Sequence, residues 1–185
     1  MNDSELRENV ISREVIYPGK VIHVEKWQVT LPDGGQAPRE IVLHRGASAV
    51  VALDEEQRII LVRQHRVAID RITLEIPAGK LDTADEDPFL CAQRELEEET
   101  GMHADHWEKL LMLDTTPGFC NEHIHLYMAT GLHTGQTHPD EDEFITAERM
   151  PLTEALQKVM CGEFHDGKTA IGILMAAQKL GLSSI

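Results

Sequence analysis

The stretch Ile76-Pro77-Ala78-Gly79, followed by Asp87-Pro88 and by Arg94-Glu95-Leu96-Glu97-Glu98-Glu99-Thr100-Gly101, decides how the rest of the chain is arranged. It predicts a strand end, a glycine loop, an acidic helix and a stop. Asp87 suits the N-cap, and Pro88 suits the first helical position, where a missing N–H loses no hydrogen bond. Gly101 can adopt the left-handed conformation that ends a helix.

The predicted helix carries an acidic face and an apolar face. Positions three and four apart are neighbours on a helix, which brings together Glu95, Glu98 and Glu99. An adjacent arc can face a core with Phe89, Ala92 and Leu96. Like-charge neighbours cost only about 0.2–0.5 kcal/mol per pair, so an acidic face is usually just solvated. Three glutamates alone therefore do not establish a metal site.

The complete pattern resembles the Nudix box, G-x5-E-x7-R-E-U-x-E-E-x-G-U, in which U is aliphatic. The residues that fill it are Gly79, Glu86, Arg94, Glu95, Leu96, Glu98, Glu99, Gly101 and Met102. The chain departs from the box at one place, because six residues rather than five separate Gly79 from Glu86. Asp85 holds the strict position, so the loop carries one extra residue and the role of Glu86 stays open.

Composition limits the function classes that the chain can serve. Its 185 residues suffice for one well-buried domain with a small appendage. No apolar run approaches the roughly 18 residues of a membrane helix, and the N-terminus lacks the pattern of a signal peptide. A net charge of −15 argues against a nucleic-acid partner. Three cysteines, an odd number, indicate a reducing compartment, and we expect a cytoplasmic protein.

Apolar runs and turn signals predict an α/β protein with a mixed β-sheet sandwiched between helices. A turn at residues 32–35 joins two strand-like segments, so residues 1–45 are expected to contain an N-terminal antiparallel β-hairpin. Further strands and two closing helices are expected within residues 46–185. The strands fall near residues 47–53, 59–62, 71–76, 107–113, 123–130 and 143–147, and the helices begin near residues 153 and 168.

Beyond the box, the chain resembles the ADP-ribose pyrophosphatase branch of the Nudix hydrolases. The segments that carry this resemblance are Arg39-Glu40-Ile41, Arg63-Gln64-His65-Arg66, Leu74-Glu75-Ile76-Pro77-Ala78-Gly79-Lys80, Thr116-Pro117-Gly118-Phe119 with Glu122, Asp140-Glu141-Asp142-Glu143-Phe144 and Asp166-Gly167-Lys168-Thr169. The resemblance implies an α/β/α Nudix hydrolase domain at residues 46–185 and a homodimer formed through the strands of residues 1–45. It also implies hydrolysis of ADP-ribose, a nucleoside diphosphate sugar, to AMP and ribose 5-phosphate.

Phosphoryl chemistry independently requires a cation at this helix. A diphosphate is already anionic, so a water that attacks phosphorus needs cations to offset charge and fix geometry. Mg²⁺ prefers oxygen ligands, and Mn²⁺ could substitute for it. The expected ligands are the carboxylates of Glu95, Glu98 and Glu99 and the backbone carbonyl of Ala78.

The resemblance also assigns a general base and a substrate site. The base falls in the acidic loop after the box, at Glu141, with Glu143 as the alternative; without the resemblance the loop would be simply solvated. The expected substrate-binding residues are Arg39, Arg66, Glu75, Gly118 and Glu122. Guanidinium groups suit phosphate, a glycine allows close approach, and Glu75 and Glu122 could accept hydrogen bonds from ribose hydroxyls or hold Arg66.

Two other functions remain compatible with these residues. One keeps the chemistry and changes the substrate to GDP-mannose or another nucleoside diphosphate sugar. The other is a catalytically inactive module that binds nucleotides as a sensor. The intact set of carboxylates argues against the sensor, because an inactive module has no need of it.

Overall fold

The structure is a computed structural model in which residues 2–135 and 144–182 are described. Contacts divide the chain into two compact units. The first comprises Met1–Arg45 with Asp114–Glu122, and the second comprises Gly46–Leu113 with His123–Ile185. The segment from 114 to 122 thus groups with the N-terminal strands, although the sequence analysis counted it within the hydrolase domain.

The first unit is a three-stranded sheet in the order β1-β2-β3. Its strands are β1 (Asn9–Pro18), β2 (His23–Thr30) and β3 (Gln36–Leu43), preceded by a 3-10 helix at Asp3–Leu6. β2 and β3 form the predicted antiparallel hairpin, and β1 adds an antiparallel strand along its edge. The register of β1 shifts twice, between Val10 and Ser12 and between Val15 and Tyr17.

The loop at residues 114–122 is attached to β3 by backbone hydrogen bonds. The N–H of Val42 donates to the carbonyl of Phe119 at 2.7 Å, and the N–H of Asn121 donates to the carbonyl of Val42 at 3.1 Å. The Asn121 side chain also accepts from the N–H of His44 at 2.7 Å. These bonds hold the Pro117-Gly118 turn next to the end of the hairpin.

The second unit contains a mixed four-stranded sheet and an antiparallel three-stranded sheet. The mixed sheet has the order β7-β4-β9-β8, in which β4 runs parallel to β9 and antiparallel to β7. The second sheet has the order β10-β5-β6. In the described ranges, no helix is long and apolar enough to cross a membrane. The elements are β4 (Ala47–Ala52), β5 (Arg58–Arg66), a 3-10 helix at Val67–Ile69, β6 (Arg71–Glu75), β7 (Ala78–Lys80), α1 (Pro88–Thr100), β8 (Met102–Asp114), β9 (His123–Thr134), β10 (Thr146–Pro151), α2 (Leu152–Met160) and α3 (Gly167–Lys179).

Helices cover both faces of the mixed sheet because β4 is buried on both sides. Ala49 and Val51 lie in a core cluster with residues of α2 and α3, including Leu156 and Ile173. Val50 and Ala52, which point the other way, lie in a second cluster with Ala92 and Leu96 of α1. Successive strand residues face opposite sides of a sheet, so a strand whose residues are all buried requires this arrangement. The predicted α/β/α architecture is confirmed.

The acidic helix α1 begins and ends as its sequence predicts. The Asp87 side chain accepts a hydrogen bond from the N–H of Phe89 at 2.8 Å. Gly101 ends the helix at φ 66° and donates its N–H to the carbonyl of Glu97 at 2.7 Å. Ala92 and Leu96, on the core-facing side of the helix, are fully buried. Caps and packing together fix the position of the acidic face.

Candidate metal and substrate site

The acidic face of α1 lies directly against the strand β7. The N–H of Ala78 donates to Oε2 of Glu99 at 2.9 Å. The carboxylate of Glu95 occupies the space beside Gly79, where a side chain would begin. Both glutamates are buried, with 8% of Glu95 and 6% of Glu99 exposed. The glycine loop and the helix therefore bring the carboxylates of Glu95 and Glu99 against the backbone of Gly79 and Ala78.

Arg94 connects the glutamates of the box. Its guanidinium donates to Oε1 of Glu95 at 2.7 Å and to Oε2 of Glu98 at 2.9 Å. It also donates to the backbone carbonyl of Lys80 at 3.2 Å. Burial acts to lower the pKa of Arg94, but the charges of Glu95 and Glu98 outweigh it and raise that pKa. In this structure the positive charge of Arg94 compensates the negative charges of Glu95 and Glu98.

The structure answers the question that the extra loop residue raised. Oε1 of Glu86 accepts from the guanidinium of Arg94 at 3.3 Å, whereas Asp85 is exposed. Oε2 of Glu86 also accepts from the N–H of Asp82, which closes the loop on itself. The loop accommodates its additional residue, and Glu86 holds Arg94.

The donor atoms of this site suit a hard divalent cation. Mg²⁺ takes carboxylate and carbonyl oxygens, which Glu95, Glu98 and Glu99 and the adjoining Ala78 carbonyl provide. Within residues 2–135 and 144–182, no group of three or more His, Cys, Asp or Glu side chains is arranged so that it could hold a metal ion. The carboxylates are instead bonded to Arg94 and to the N–H of Ala78. The carboxylate oxygens are of the kind that binds a divalent metal. In this structure Arg94 binds Glu95 and Glu98, and the N–H of Ala78 binds Glu99.

Arg66 and Glu75 form a two-bond ion pair at the edge of the second sheet. The Nε and Nη2 atoms of Arg66 donate to the two oxygens of Glu75 at 2.9 and 2.8 Å. Glu75 is 3% exposed. Its burial alone would raise its pKa, but hydrogen bonds from Arg66 and the nearby ammonium of Lys168 lower the pKa to about 2. Of its two expected roles, Glu75 takes that of holding Arg66.

Lys168 and Thr169, which are not among the expected site residues, contact Glu75 and the backbone of Ile76, respectively. The buried ammonium of Lys168 contacts Glu75 and lies 3.0 Å from Oδ2 of Asp166. Oγ1 of Thr169 accepts from the N–H of Ile76 at 3.0 Å. The visible signal was the spacing of Asp166 and Thr169, which matches an N-cap and its partner at the start of α3.

The other predicted site residues lie in the first unit or outside the described chain. The guanidinium of Arg39 forms an ion pair with the carboxylate of Glu8, in which Nε lies 3.0 Å from Oε2. Glu122 accepts from the hydroxyl of Thr115 at 2.8 Å, and a side chain at Gly118 would meet open space. The candidate bases Glu141 and Glu143 lie outside the described residues.

A cavity of about 260 Å³ lies in the second unit, away from the acidic face of α1. Its walls come from β6, β10 and the segment between α2 and α3, including Arg71, Thr73, Met150, Phe164 and Asp166. None of the box residues lines it. The geometry of the glutamates, not this cavity, therefore identifies the candidate site.

Comparison with known proteins agrees with the motif. A family profile described as NUDIX domain matches residues 42–168. A methanol dehydrogenase activator of Bacillus methanolicus is 43% identical over 90% of this chain and 90% of its own length. An ADP-ribose pyrophosphatase of Bacillus subtilis is 43% identical over 91% of each chain. A GDP-mannose pyrophosphatase of Cronobacter sakazakii is 34% identical over 78% of this chain and 81% of its own.

The fold also matches a solved structure. A crystal structure described as an ADP compounds hydrolase superposes with a TM-score of 0.83 and covers 96% of this chain and 97% of that one. The two sequences are 20% identical, so the likeness concerns the fold alone. It confirms the fold class that the sequence predicts.

Proposed function

The chain belongs to the Nudix family, and on that premise we propose that it hydrolyses ADP-ribose to AMP and ribose 5-phosphate. One observation carries the proposal: the buried carboxylates of Glu95 and Glu99 lie against Gly79 and Ala78, with Arg94 between the glutamates. The similarity to an ADP-ribose pyrophosphatase over 91% of the chain supports this substrate.

The proposed cofactor is Mg²⁺, with Mn²⁺ as a possible substitute. Nudix hydrolases generally use a divalent metal. The residues that would hold it are Glu95, Glu98 and Glu99 and the carbonyl of Ala78. When bound, the ion offsets the charge of the diphosphate and orients its oxygens. Arg94 and Glu86 keep the carboxylates in place for this task.

The reaction that we propose is attack of water on one phosphorus atom of the diphosphate. The water oxygen forms a bond to phosphorus, and the bridging P–O bond breaks. The bridging oxygen leaves with the other phosphate, so each product carries one monophosphate. The water proton passes to a glutamate base, Glu141 or, as the alternative, Glu143.

The proposed substrate-binding residues are Arg39, Arg66, Glu75, Gly118 and Glu122. Arg66, oriented by Glu75, is suited to a phosphate oxygen because its guanidinium is fixed by two hydrogen bonds. Arg39 offers a second guanidinium, exposed at the surface of the first unit. The open space at Gly118 leaves room for a ligand, and Glu122 offers carboxylate oxygens to ribose hydroxyls.

A panel of substrates tests this assignment. Purified protein is incubated with Mg²⁺ and each of ADP-ribose, GDP-mannose and other nucleoside diphosphate sugars, and products are resolved by chromatography. We expect AMP from ADP-ribose to form fastest. Faster turnover of GDP-mannose would contradict the substrate and leave the chemistry intact. No turnover, combined with a higher melting temperature in the presence of these nucleotides, would instead indicate a sensor.

A second candidate function is activation of another enzyme. It is favoured by one observation, the 43% identity to a methanol dehydrogenase activator. The test is the rate of a purified methanol dehydrogenase with and without this protein. A rate increase that Glu99→Gln abolishes would link activation to the same glutamates, and an unchanged rate would exclude this function for that dehydrogenase.

A homodimer and a cytoplasmic location complete the proposal. Every residue of β1 is exposed, and its apolar side chains include Ile11, Val15, Ile16 and Tyr17, each more than half exposed. A strand of this kind is suited to burial against a second copy. The three cysteines are free thiols, which is consistent with a reducing compartment. A monomeric mass in light scattering would exclude the dimer.

A further inference from the structure

The segment Asp166-Gly167-Lys168-Thr169 has no role in the chemistry described above, yet it contacts the residues that hold Arg66. Lys168 is 8% exposed, which is unusual for a lysine unless its charge is compensated. Its ammonium contacts Glu75 and Asp166. A buried charge is costly unless it is paired, and the carboxylates of Glu75 and Asp166 pair with this ammonium.

The four charged side chains form one connected chain of alternating sign. Asp166 pairs with Lys168, Lys168 with Glu75, and Glu75 with Arg66. Oε2 of Glu75 receives both cations, Nη2 of Arg66 at 2.8 Å and the ammonium of Lys168. The two negative and two positive charges of this network sum to zero. Because Lys168 compensates part of the negative charge of Glu75, the positive charge of Arg66 is not fully compensated by Glu75.

Arg66 also lies within electrostatic reach of the metal-binding glutamates. Its pKa is raised first by the hydrogen bonds from its guanidinium to Glu75, and Glu99 and Asp166 add to this effect through their charges. The state of Glu75 therefore decides how much positive charge faces the region where a diphosphate would meet Glu99.

The same segment supports the metal-binding loop from behind. Thr169 accepts the N–H of Ile76, two residues before Ala78. Oδ2 of Asp166 accepts from the backbone N–H of Thr169 at 3.0 Å and also contacts its hydroxyl. The first residues of α3 thus contact both the backbone of Ile76, just before the glycine loop, and the carboxylate of Glu75, which holds Arg66.

We infer that Lys168 is a positioning residue that keeps the guanidinium of Arg66 available to the substrate diphosphate by compensating the charge of Glu75, with Asp166 as the second carboxylate that Lys168 contacts. This inference rests on the proposed function, because it concerns the binding of a diphosphate. Without Lys168, the remaining three charges carry a net −1, which repels a diphosphate and draws Arg66 towards Glu75.

The experiment compares three variants whose predicted effects differ in sign. In Lys168→Met, KM for ADP-ribose rises about tenfold while kcat changes by less than about threefold, because binding and not the chemical step is affected. Asp166→Asn adds a net positive charge and retains a good N-cap, so KM falls by about threefold. The double variant Asp166→Asn/Lys168→Met restores neutrality and brings KM back towards that of the wild type.

Lys179→Met is the matched control, because Lys179 makes a surface ion pair with Glu108. It should leave KM unchanged. Melting temperatures of all variants are recorded, and Asp166→Asn alone keeps the inference testable if Lys168→Met does not fold, since structural damage does not lower KM. A KM that rises in Asp166→Asn, or that stays at the wild-type value in folded Lys168→Met, would overturn the inference.

Failure of the proposed function gives a different result. Wild-type protein would then not release AMP from ADP-ribose. The variants are in that case compared on whichever nucleoside diphosphate sugar the wild type does hydrolyse, because the charge argument concerns the diphosphate common to all of them. The ordering of KM tests Lys168, whereas the identity of the substrate tests the function.

Discussion

A Cβ atom at position 79 would lie 2.0 Å from the carboxyl carbon of Glu95. The Glu95 carboxylate can therefore occupy its position only because residue 79 has no side chain. The glycine is required here by close approach and not by backbone conformation, since its φ is not among the positive values. This contact joins the strand before the loop to the helix after it. It makes the geometry of the carboxylates depend on a position that carries no functional group.

Gly79→Ala therefore displaces the Glu95 carboxylate. We expect kcat to fall by about 100-fold, which is the scale of loss that a displacement near 1 Å can cause. Gly172→Ala is the control for simple crowding, because its Cβ would lie 2.7 Å from Cγ2 of Val51, within the helix–sheet packing. It should lower the melting temperature and largely retain kcat. A Gly79→Ala protein with wild-type kcat would disprove the requirement.

Glu86 and Asp85 can be separated by a pair of conservative changes. Glu86→Gln weakens the anchor of Arg94, so we expect the Mg²⁺ concentration for half-maximal rate to rise about 10-fold, as for other residues that orient metal ligands. Asp85→Asn removes one exposed charge and should change that concentration by less than about twofold. The reverse result would mean that Asp85 holds the functional position despite the longer loop.

Stability at low pH should depend on Glu75. Its pKa is about 2 in the folded protein, below the ordinary value of 4.5, chiefly because hydrogen bonds from Arg66 and the Lys168 charge outweigh its burial. A lowered pKa stabilises the fold above pH 4.5, and this contribution disappears as the pH falls from 4.5 to about 2.

Over that interval the wild type should lose about 3 kcal/mol more of its free energy of unfolding than Glu75→Gln does. Urea unfolding of both proteins at pH values from 2 to 7 provides the comparison. Parallel profiles for the two proteins would show that Glu75 is not held ionised by its partners.

The general base can be identified by changing Glu141 and Glu143 one at a time. Glu141→Gln should lower kcat by about 10²–10⁴, since the carboxylate that accepts the water proton is lost. Glu143→Gln should stay close to the wild-type rate. A large loss in Glu143→Gln alone would move the role to that residue, and near-normal rates in both variants would exclude the pair.

Local signals in the sequence predict the helix α1 well. The cap at Asp87, the proline at position 88 and the glycine at position 101 act within a few residues, and each is found in its predicted role. The strand β4 is equally clear, because a strand buried on both faces is nearly all apolar, and Ser48 is its one polar residue. These features depend on neighbours in sequence or on burial alone.

Contacts between distant residues could not be predicted in the same way. Lys168 meets Glu75 across 93 positions, and no spacing rule connects the two. The spacing of four residues on a helix explains the bond from Arg94 to Glu98, but the bonds of Arg94 to Glu86 and to the Lys80 carbonyl depend on the path of the loop. β1 lacks a buried face and changes register twice, so its residues carry no alternating pattern.

The central claim is that the glutamates of α1 carry hydrolysis of ADP-ribose. The measurement is the rate at which AMP and ribose 5-phosphate form from ADP-ribose and Mg²⁺, for the wild type and for Glu99→Gln, whose amide oxygen can still accept from the N–H of Ala78. We predict equal amounts of both products and a loss of at least about 100-fold in a variant that keeps its melting temperature. Equal rates for the two proteins, or no AMP from the wild type, would contradict the account.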